Sequence, residues 1–193
     1  MIIEYFGLPG SGKTTFCNRI CNEQHLKNPR IFFKDNLFGK ILFHIFLNTF
    51  YINYSLLKKY KEGKKILSNK KYVNKINPNI SIELYLKYIV FIFYIENRYD
   101  AIVLDEGVIH YLTALYAEFE VDFDLLDDIY KIFKVIDKDI VYKSTNCDIS
   151  KAIENCKKRN RKDAPIDFLN DDELYSIENR YKQAEEYYSK HLN

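Results

Sequence analysis

Short runs of apolar residues alternate along this chain with longer segments whose apolar positions recur at helical spacing. The runs at 2–6, 30–34, 101–105 and 139–143 predict buried strands. Helices are predicted around 16–20 and then at 37–57, 83–98, 107–119, 124–136, 148–158 and 171–192. Strands that alternate with helices imply a parallel sheet with right-handed crossovers. We therefore expect an α/β fold of three layers, with a parallel sheet of four strands, or five if an edge strand is added.

The segment 37–57 is apolar over a length that could suggest a membrane span. However, Lys40, His44 and Asn48 recur every four residues, which places a narrow polar stripe along one side of a helix. Lysine and histidine are costly inside a bilayer. The pattern therefore favours a helix with one narrow solvent-exposed polar face over a membrane span.

A lysine-rich segment follows around Gly63. Its lysines are Lys58, Lys59, Lys61, Lys64, Lys65, Lys70, Lys71 and Lys75. This composition predicts a solvated turn between helices. An aromatic amphipathic helix beside polybasic residues also describes a surface-associated element, so a patch for an anionic substrate or an anionic lipid is the alternative.

Composition limits the remaining possibilities. A chain of 193 residues with 47% hydrophobic and 16% aromatic content can bury one core, so a single domain over 1–193 is expected. The 29 basic and 27 acidic residues leave a net charge of +2, which makes no general case for a nucleic-acid partner. Cys17, Cys21, Cys147 and Cys156 lack zinc-ligand spacing, and the chain opens in a predicted strand without a signal peptide. Reduced thiols and a cytoplasmic location are expected.

Residues 7–14, Gly-Leu-Pro-Gly-Ser-Gly-Lys-Thr, match the phosphate-binding loop pattern G-x-x-x-x-G-K-[ST] between a predicted strand and a predicted helix. The glycines permit positive φ, so backbone N–H groups can approach a polyphosphate at the positive end of the helix. Lys13 would reach the β- and γ-phosphates, and the Thr14 hydroxyl would bind Mg²⁺. The alternative is a glycine-rich turn that only caps a helix. The predicted nucleotide-binding residues are Gly7, Leu8, Pro9, Gly10, Ser11, Gly12, Lys13, Thr14 and Thr15.

Acidic residues follow two of the predicted strands. In an open parallel sheet the ligand lies at the carboxyl ends of the strands, so Asp35, Asp105 and Glu106 should converge on the loop. Asp105 has the position of an acid that holds Mg²⁺, or of a helix N-cap before Gly107. Glu106 could act as general base, or be a solvated glutamate in the first turn of a helix. Asp35 could bind or deprotonate an acceptor, or be a turn acid. His110 could point to the same cleft, but a packed surface histidine is favoured.

A basic cluster precedes Pro165. It comprises Lys157, Lys158, Arg159, Arg161 and Lys162. Planar guanidinium groups can bridge the anionic oxygens of a phosphoryl group in transfer, so Arg159 and Arg161 are candidate catalytic residues. A basic helix end that only complements the helix dipole is the competing interpretation.

The loop at 7–15, the apolar strand that ends in Asp105 and the Arg-x-Arg pair together resemble the nucleoside and nucleotide kinase group of P-loop proteins. Within that group, Leu104-Asp105-Glu106-Gly107 resembles bacterial kinase-like proteins associated with surface-polysaccharide synthesis. The chain departs from the group in two ways. It lacks the Asp-Arg pair of thymidylate kinases and the Asp-Gly-Phe-Pro-Arg run of adenylate kinases after Asp105, and no strand is evident after the basic cluster.

The resemblance implies that MgATP is the donor. It assigns Lys13 and Thr14 to phosphate and Mg²⁺, Asp105 to the metal, and Arg159 and Arg161 to a lid at about 157–168. It also implies that a helical insertion at about 36–98 binds the acceptor. Peripheral membrane contact through 37–75 is a further possibility, and the protein would be a monomer or a homodimer.

The expected function is therefore ATP-dependent transfer of a phosphoryl group to a small nucleotide, nucleoside or sugar-type acceptor. The alternative is a regulatory P-loop ATPase whose nucleotide state switches a surface used by a partner. A GTPase is less favoured, because residues 74–77, Asn-Lys-Ile-Asn, only partly match the guanine-specific Asn-Lys-x-Asp signature. An end kinase for DNA or RNA, suggested by the lysines at 58–75, is a third possibility, although a nucleic-acid partner is not favoured by the overall charge.

Overall fold

A computed structural model of the chain describes residues 1–29, 37–158 and 165–192. Its centre is a parallel sheet of three strands, β1 (Ile2–Phe6), β2 (Ile102–Leu104) and β3 (Ile140–Ser144), in the order β2-β1-β3. Ile2 of β1 lies opposite Ile102 on one side and Ile140 on the other. Every residue of β1 is buried, as expected for the middle strand of a covered sheet.

Eight α-helices and two short 3-10 helices accompany the sheet within the described residues. The α-helices are α1 (Lys13–Gln24), α2 (Leu37–Thr49), α3 (Tyr54–Leu67), α4 (Ile82–Arg98), α5 (Val108–Phe119), α6 (Phe123–Phe133), α7 (Ile149–Lys158) and α8 (Asp171–His191). The 3-10 helices are Phe50–Ile52 and Pro165–Phe168.

The α/β class and the parallel sheet flanked by helices are confirmed. The strands predicted at 2–6, 101–105 and 139–143 are present, and so are the helices predicted from 83 onward, with ends that shift by a few residues. The predicted strand at 30–34 lies outside the described residues, so the sheet has three strands in the part of the chain that can be described. A parallel bridge joins Lys27 to Ile102 on the edge of β2 away from β1.

Successive side chains of β1 point to opposite faces of the sheet. Because all of them are buried, helices cover both faces. Ile3 and Tyr5 pack with Cys17 of α1 on one face. Ile2 and Phe6 belong to the large core on the other face, which α4, α5 and α6 complete. This arrangement puts the loop after β1 and the residues after β2 at the same edge of the sheet.

The single helix predicted at 37–57 is wrong in its length. The helix α2 ends at Thr49, and the chain turns through Phe50–Ile52 before α3 begins at Tyr54. Asn53 is the N-cap of α3, and its side chain accepts a hydrogen bond from the backbone N–H of Leu56 at 3.2 Å. An asparagine at this position stabilises the start of a new helix. In the residues that the structure describes, no helix is both long enough and apolar enough to cross a membrane.

The solvated turn predicted at 58–75 is wrong for its first part, because residues 58–67 belong to α3. Gly63, which suggested the turn, is buried inside this helix. A methyl group on Gly63 would lie 2.9 Å from a terminal methyl of Leu86 and 3.3 Å from the Phe133 ring. The glycine therefore allows α3 to approach α4 and α6 closely, a tertiary role that composition does not reveal.

Candidate active site

The phosphate-binding loop lies between β1 and α1. Gly7, Gly10 and Gly12 adopt φ values of 136°, 81° and 87°, the region that favours glycine. At Gly10 a Cβ atom would also lie 2.3 Å from the backbone oxygen of Ala152 in α7, so no larger residue fits. Asn155 of the same helix donates a hydrogen bond to the Gly10 carbonyl oxygen at 3.0 Å. The loop is thus shaped by its own glycines and held in place by α7.

Lys13 is the first residue of α1, and its side chain is buried beneath the loop. Its Nζ donates hydrogen bonds to the carbonyl oxygens of Gly7 at 2.9 Å and Leu8 at 2.7 Å. Burial lowers the pKa of Lys13, and nearby carboxylates oppose that effect. These carboxylates belong to Glu106, Glu178, Asp105 and Glu185. The ammonium group therefore lies in an acidic environment at the mouth of the loop.

Thr14 and Asp105 meet beside Lys13. The Thr14 hydroxyl donates to Oδ2 of Asp105 at 2.8 Å, and the Asn28 amide donates to Oδ1 at 3.2 Å. Two oxygen ligands in adjacent positions of an octahedral Mg²⁺ site lie about 2.9 Å apart. The distance of 2.8 Å between the Thr14 hydroxyl and Oδ2 of Asp105 therefore fits two oxygen atoms that share one Mg²⁺. The alternative role of Asp105 as N-cap of α5 is not observed, because Gly107 occupies that position.

Glu106 follows Asp105, and its side chain is 25% exposed. The Tyr111 hydroxyl donates to its Oε2 at 3.3 Å, and Nε2 of His110 lies 4.0 Å from its Oε1. The ring of His110 packs edge-on against Tyr111 with a centroid distance of 5.3 Å, in agreement with the favoured prediction of a packed histidine. The Glu106 carboxylate is therefore held between these two side chains and remains partly accessible to solvent.

Aromatic side chains form a wall next to Glu106. Tyr88 of α4 lies 5.2 Å from Tyr111 between ring centroids, and Tyr85 lies 6.0 Å from Tyr111. Phe43 of α2 stacks on Tyr88 at 5.6 Å. Elements from the region predicted as an acceptor-binding insertion thus lie close to the candidate base.

The structure brings together the loop at 7–15, Asp105 and Glu106, as the sequence predicted. The other three candidates, Asp35, Arg159 and Arg161, lie outside the described residues. Of the basic cluster, Lys157 forms an ion pair with Asp171 at 2.7 Å, and Lys158 pairs with Glu154 at 2.5 Å.

Two buried glutamates of α8 near the loop were missed by sequence reasoning. Glu185 accepts hydrogen bonds from the Ser144 hydroxyl at 2.5 Å and the Asn146 backbone N–H at 2.9 Å, which fixes the turn after β3. Glu178 is fully buried and acts electrostatically on Lys13. The sequence does contain a signal for them. Both glutamates fall on the apolar stripe of α8, seven residues apart, where a charged side chain is buried and is not simply in contact with solvent.

The partial guanine-recognition signature at 74–77 has a structural role. Asn74 is buried, and its Oδ1 accepts hydrogen bonds from the backbone N–H groups of Ile76 at 2.8 Å and Asn77 at 2.7 Å. Its amide donates to Glu118 at 2.8 Å. Glu118 lies near the end of α5, about 15 Å along the helix from its start beside Asp105. The hydrogen bonds of the Asn74 side chain therefore stabilise this turn.

The structure is similar to that of deoxyadenosine kinase from M. mycoides with bound dCTP. The TM-score is 0.51 at 18% identity, over 100% of this chain and 85% of that chain. The chain shares its fold with this kinase. The structure of the same kinase with bound dATP gives a TM-score of 0.49 at 16% identity, over 100% of this chain and 86% of that one. No family model and no curated protein sequence matches the chain.

Proposed function

We propose that the protein transfers the γ-phosphoryl group of MgATP to a hydroxyl group of a small nucleotide, nucleoside or sugar-type acceptor. The observation that carries this proposal is the 2.8 Å contact between Thr14 and Asp105, which joins the phosphate-binding loop to the acid after β2. Glu106 adds a second carboxylate on the side of the aromatic wall. Phosphoryl transfer depends mainly on positioning and charge stabilisation, and these groups would supply both.

On the donor side, the backbone N–H groups of residues 7–15 would hold the triphosphate, and Lys13 would turn from the loop carbonyls toward its β- and γ-phosphates. Thr14 and Asp105 would hold Mg²⁺. When bound, the ion supplies charge neutralisation at the phosphate oxygens. Arg159 and Arg161 would cover the γ-phosphate from a lid at 157–168, where their guanidinium groups would bridge the equatorial oxygens.

On the acceptor side, Glu106 would take the proton of the acceptor hydroxyl as its oxygen forms a bond to the γ-phosphorus. The bond from that phosphorus to the bridging oxygen breaks, and ADP leaves. Tyr85, Tyr88 and Tyr111 would pack against the acceptor, and Asp35 would orient it. The fold shared with a deoxyadenosine kinase makes nucleosides and nucleotides the first acceptors to test.

The proposal is tested by incubating the purified protein with MgATP and a panel of nucleosides, nucleotides, sugars and lipid-linked saccharides. Phosphorylation of one acceptor class is expected. Glu106→Gln should lower kcat by about 10²- to 10⁴-fold with little effect on ATP binding, because it removes a base and preserves shape. Lys13→Ala and Arg159→Ala should also reduce turnover. Glu186→Gln, an exposed site on α8, is the matched control and should retain full activity.

Two results would contradict the proposal. One is slow ATP hydrolysis that no acceptor accelerates, which would favour the regulatory ATPase. The other is full transfer activity in Glu106→Gln, which would remove the proposed base.

A further inference from the structure

The α2–α3 segment, formed by α2, the 3-10 turn and α3, has an unusual density of exposed apolar side chains. Six large ones lie between positions 41 and 54: Ile41, Leu42, Ile45, Tyr51, Ile52 and Tyr54. Elsewhere in the described residues, no stretch of this length has more than two. Single exposed apolar residues are ordinary, but such a concentration marks an interaction surface.

The turn between α2 and α3 is exposed to solvent. Ile52 is 86% exposed and Tyr54 is 80% exposed, although the turn that carries them is anchored. The anchor is Phe50, which is buried and packs edge-on against Tyr60 of α3 with a centroid distance of 5.2 Å. Asn53 caps α3 at the same turn. Ile52 and Tyr54 therefore project from a turn that is fixed by the packing of Phe50 and by the Asn53 cap.

The outer face of α3 carries exposed lysines and one exposed glutamate, Glu62. Its inner face consists of the buried residues Leu56, Tyr60, Gly63 and Leu67. On the opposite side, an exposed stripe at helical spacing consists of Tyr54, Lys58, Lys61 and Lys65. These three lysines have no ion-pair partner among the described residues, whereas Lys64, to the side of the stripe, pairs with Glu83 at 2.6 Å.

We propose that the α2–α3 segment docks on an anionic lipid surface, with Ile52 and Tyr54 among the headgroups and with Lys58, Lys61 and Lys65 against their negative charges. Amphipathic elements bind membranes through this combination of apolar insertion and basic residues, and tyrosine is enriched at the interface. A second copy of the chain fits the surface less well, because a two-fold contact through the stripe would oppose lysine to lysine. Nucleic acid would use the lysines and leave Ile52 and Tyr54 exposed.

Charge dependence is tested by sedimentation of the full chain with vesicles of phosphatidylcholine alone and of phosphatidylcholine mixed with phosphatidylglycerol. Binding to the mixed vesicles is expected, and added salt should weaken it. The triple substitution Lys58→Glu, Lys61→Glu, Lys65→Glu should lower the partition coefficient by about a hundredfold or more. The control with the same charge change replaces the exposed residues Lys134, Lys143 and Lys190 by glutamate and should bind as the wild type does.

Insertion is tested separately with Ile52→Ser, which should lower the partition coefficient by about tenfold. Ile136→Ser is the matched control, since Ile136 is 89% exposed on the chain before β3. Circular dichroism of each variant confirms that it is folded, and none of these measurements depends on catalytic activity.

Three outcomes would overturn the proposal. The first is equal binding to neutral and anionic vesicles, or unchanged binding by the triple variant. The second is a dimer in light scattering that Ile52→Ser dissociates, which would assign the surface to a second copy. The third is oligonucleotide binding that the triple variant loses and Ile52→Ser retains, in the absence of vesicle binding.

Discussion

At the scale of single residues, Glu4 is the most unusual side chain of the sheet. It lies fully buried in β1, and its Oε1 accepts a hydrogen bond from the backbone N–H of His110 at 3.1 Å. Burial raises the pKa of Glu4 to about 8, although the backbone N–H groups at the start of α5 favour the carboxylate. Burial and the neighbouring Glu4 also raise the pKa of Glu96 in α4. The fold therefore encloses two carboxyl groups that are protonated in moderately acidic solution.

This pair predicts that the protein loses stability as the pH rises. Above the ordinary glutamate pKa of 4.5 the unfolded chain has released a proton that folded Glu4 keeps until about pH 8. In that window the free energy of unfolding should fall by up to about 1.4 kcal/mol per pH unit for each such group. Glu4→Gln cannot ionise and still accepts hydrogen bonds from α5. Urea denaturation should show the variant gaining stability relative to the wild type between about pH 5 and about pH 8.

The control for this prediction is Glu186→Gln, which changes an exposed carboxylate on α8 and should follow the wild-type curve. A constant difference between Glu4→Gln and the wild type across the whole pH range would show that Glu4 does not titrate in this window.

At the scale of elements, α3 shows how a helix can be misjudged from composition. Lysines and a glycine suggested a turn, yet Leu56, Tyr60, Gly63 and Leu67 form a buried stripe at helical spacing. Tertiary packing supplies most helical stability, and here it outweighs the cost of about 1 kcal/mol for a glycine inside a helix. A Cβ atom on Gly63 would lie 2.9 Å from a terminal methyl of Leu86, so α3 packs tightly at this position.

Two substitutions of Gly63 should therefore have different effects. Gly63→Ala gains helix propensity but must displace a terminal methyl of Leu86, so the two effects should nearly cancel. Gly63→Val adds further bulk toward Leu86 and Phe133 and should lower the free energy of unfolding by about 1–3 kcal/mol. Chemical denaturation of both variants measures the difference. Equal stability of the two would mean that the α3 interface has room for a larger residue.

At the scale of the whole molecule, the candidate site joins distant parts of the chain. The loop after β1, Asp105 and Glu106 after β2, and Glu178 and Glu185 of α8 all lie near Lys13. A ligand bound by several such parts stabilises the folded state as a whole, because it does not bind the unfolded chain.

Under the proposed function, MgATP at about a hundred times its Kd should stabilise the protein by about 2.7 kcal/mol and raise Tm by roughly 5–10 °C. ATP with a chelator should give a smaller shift, since Thr14 and Asp105 would lack Mg²⁺. Lys13→Ala should give a reduced shift in both conditions. Differential scanning calorimetry measures these changes, and an unchanged Tm with MgATP in the wild type would argue against nucleotide binding by the loop.

Local pattern alone determined the α/β class, the three described strands and the position of the phosphate-binding loop. Apolar runs, helical spacing and a motif with fixed glycines are properties of neighbouring residues, so they can be recognised without the fold. Parallel topology added one non-local result, the meeting of the loop with Asp105 and Glu106, because strand ends in such a sheet share one edge.

Only the tertiary structure decided what depends on contacts between distant segments. It divided 37–67 into two helices and placed Gly63 against Leu86. It also buried the Asn74 side chain, which stabilises the turn that follows it through hydrogen bonds. It also brought Glu178 and Glu185 from the end of the chain to Lys13. The energy of these features lies in burial and in hydrogen bonds across the fold, and the periodicity of a single segment contains no information about its partners.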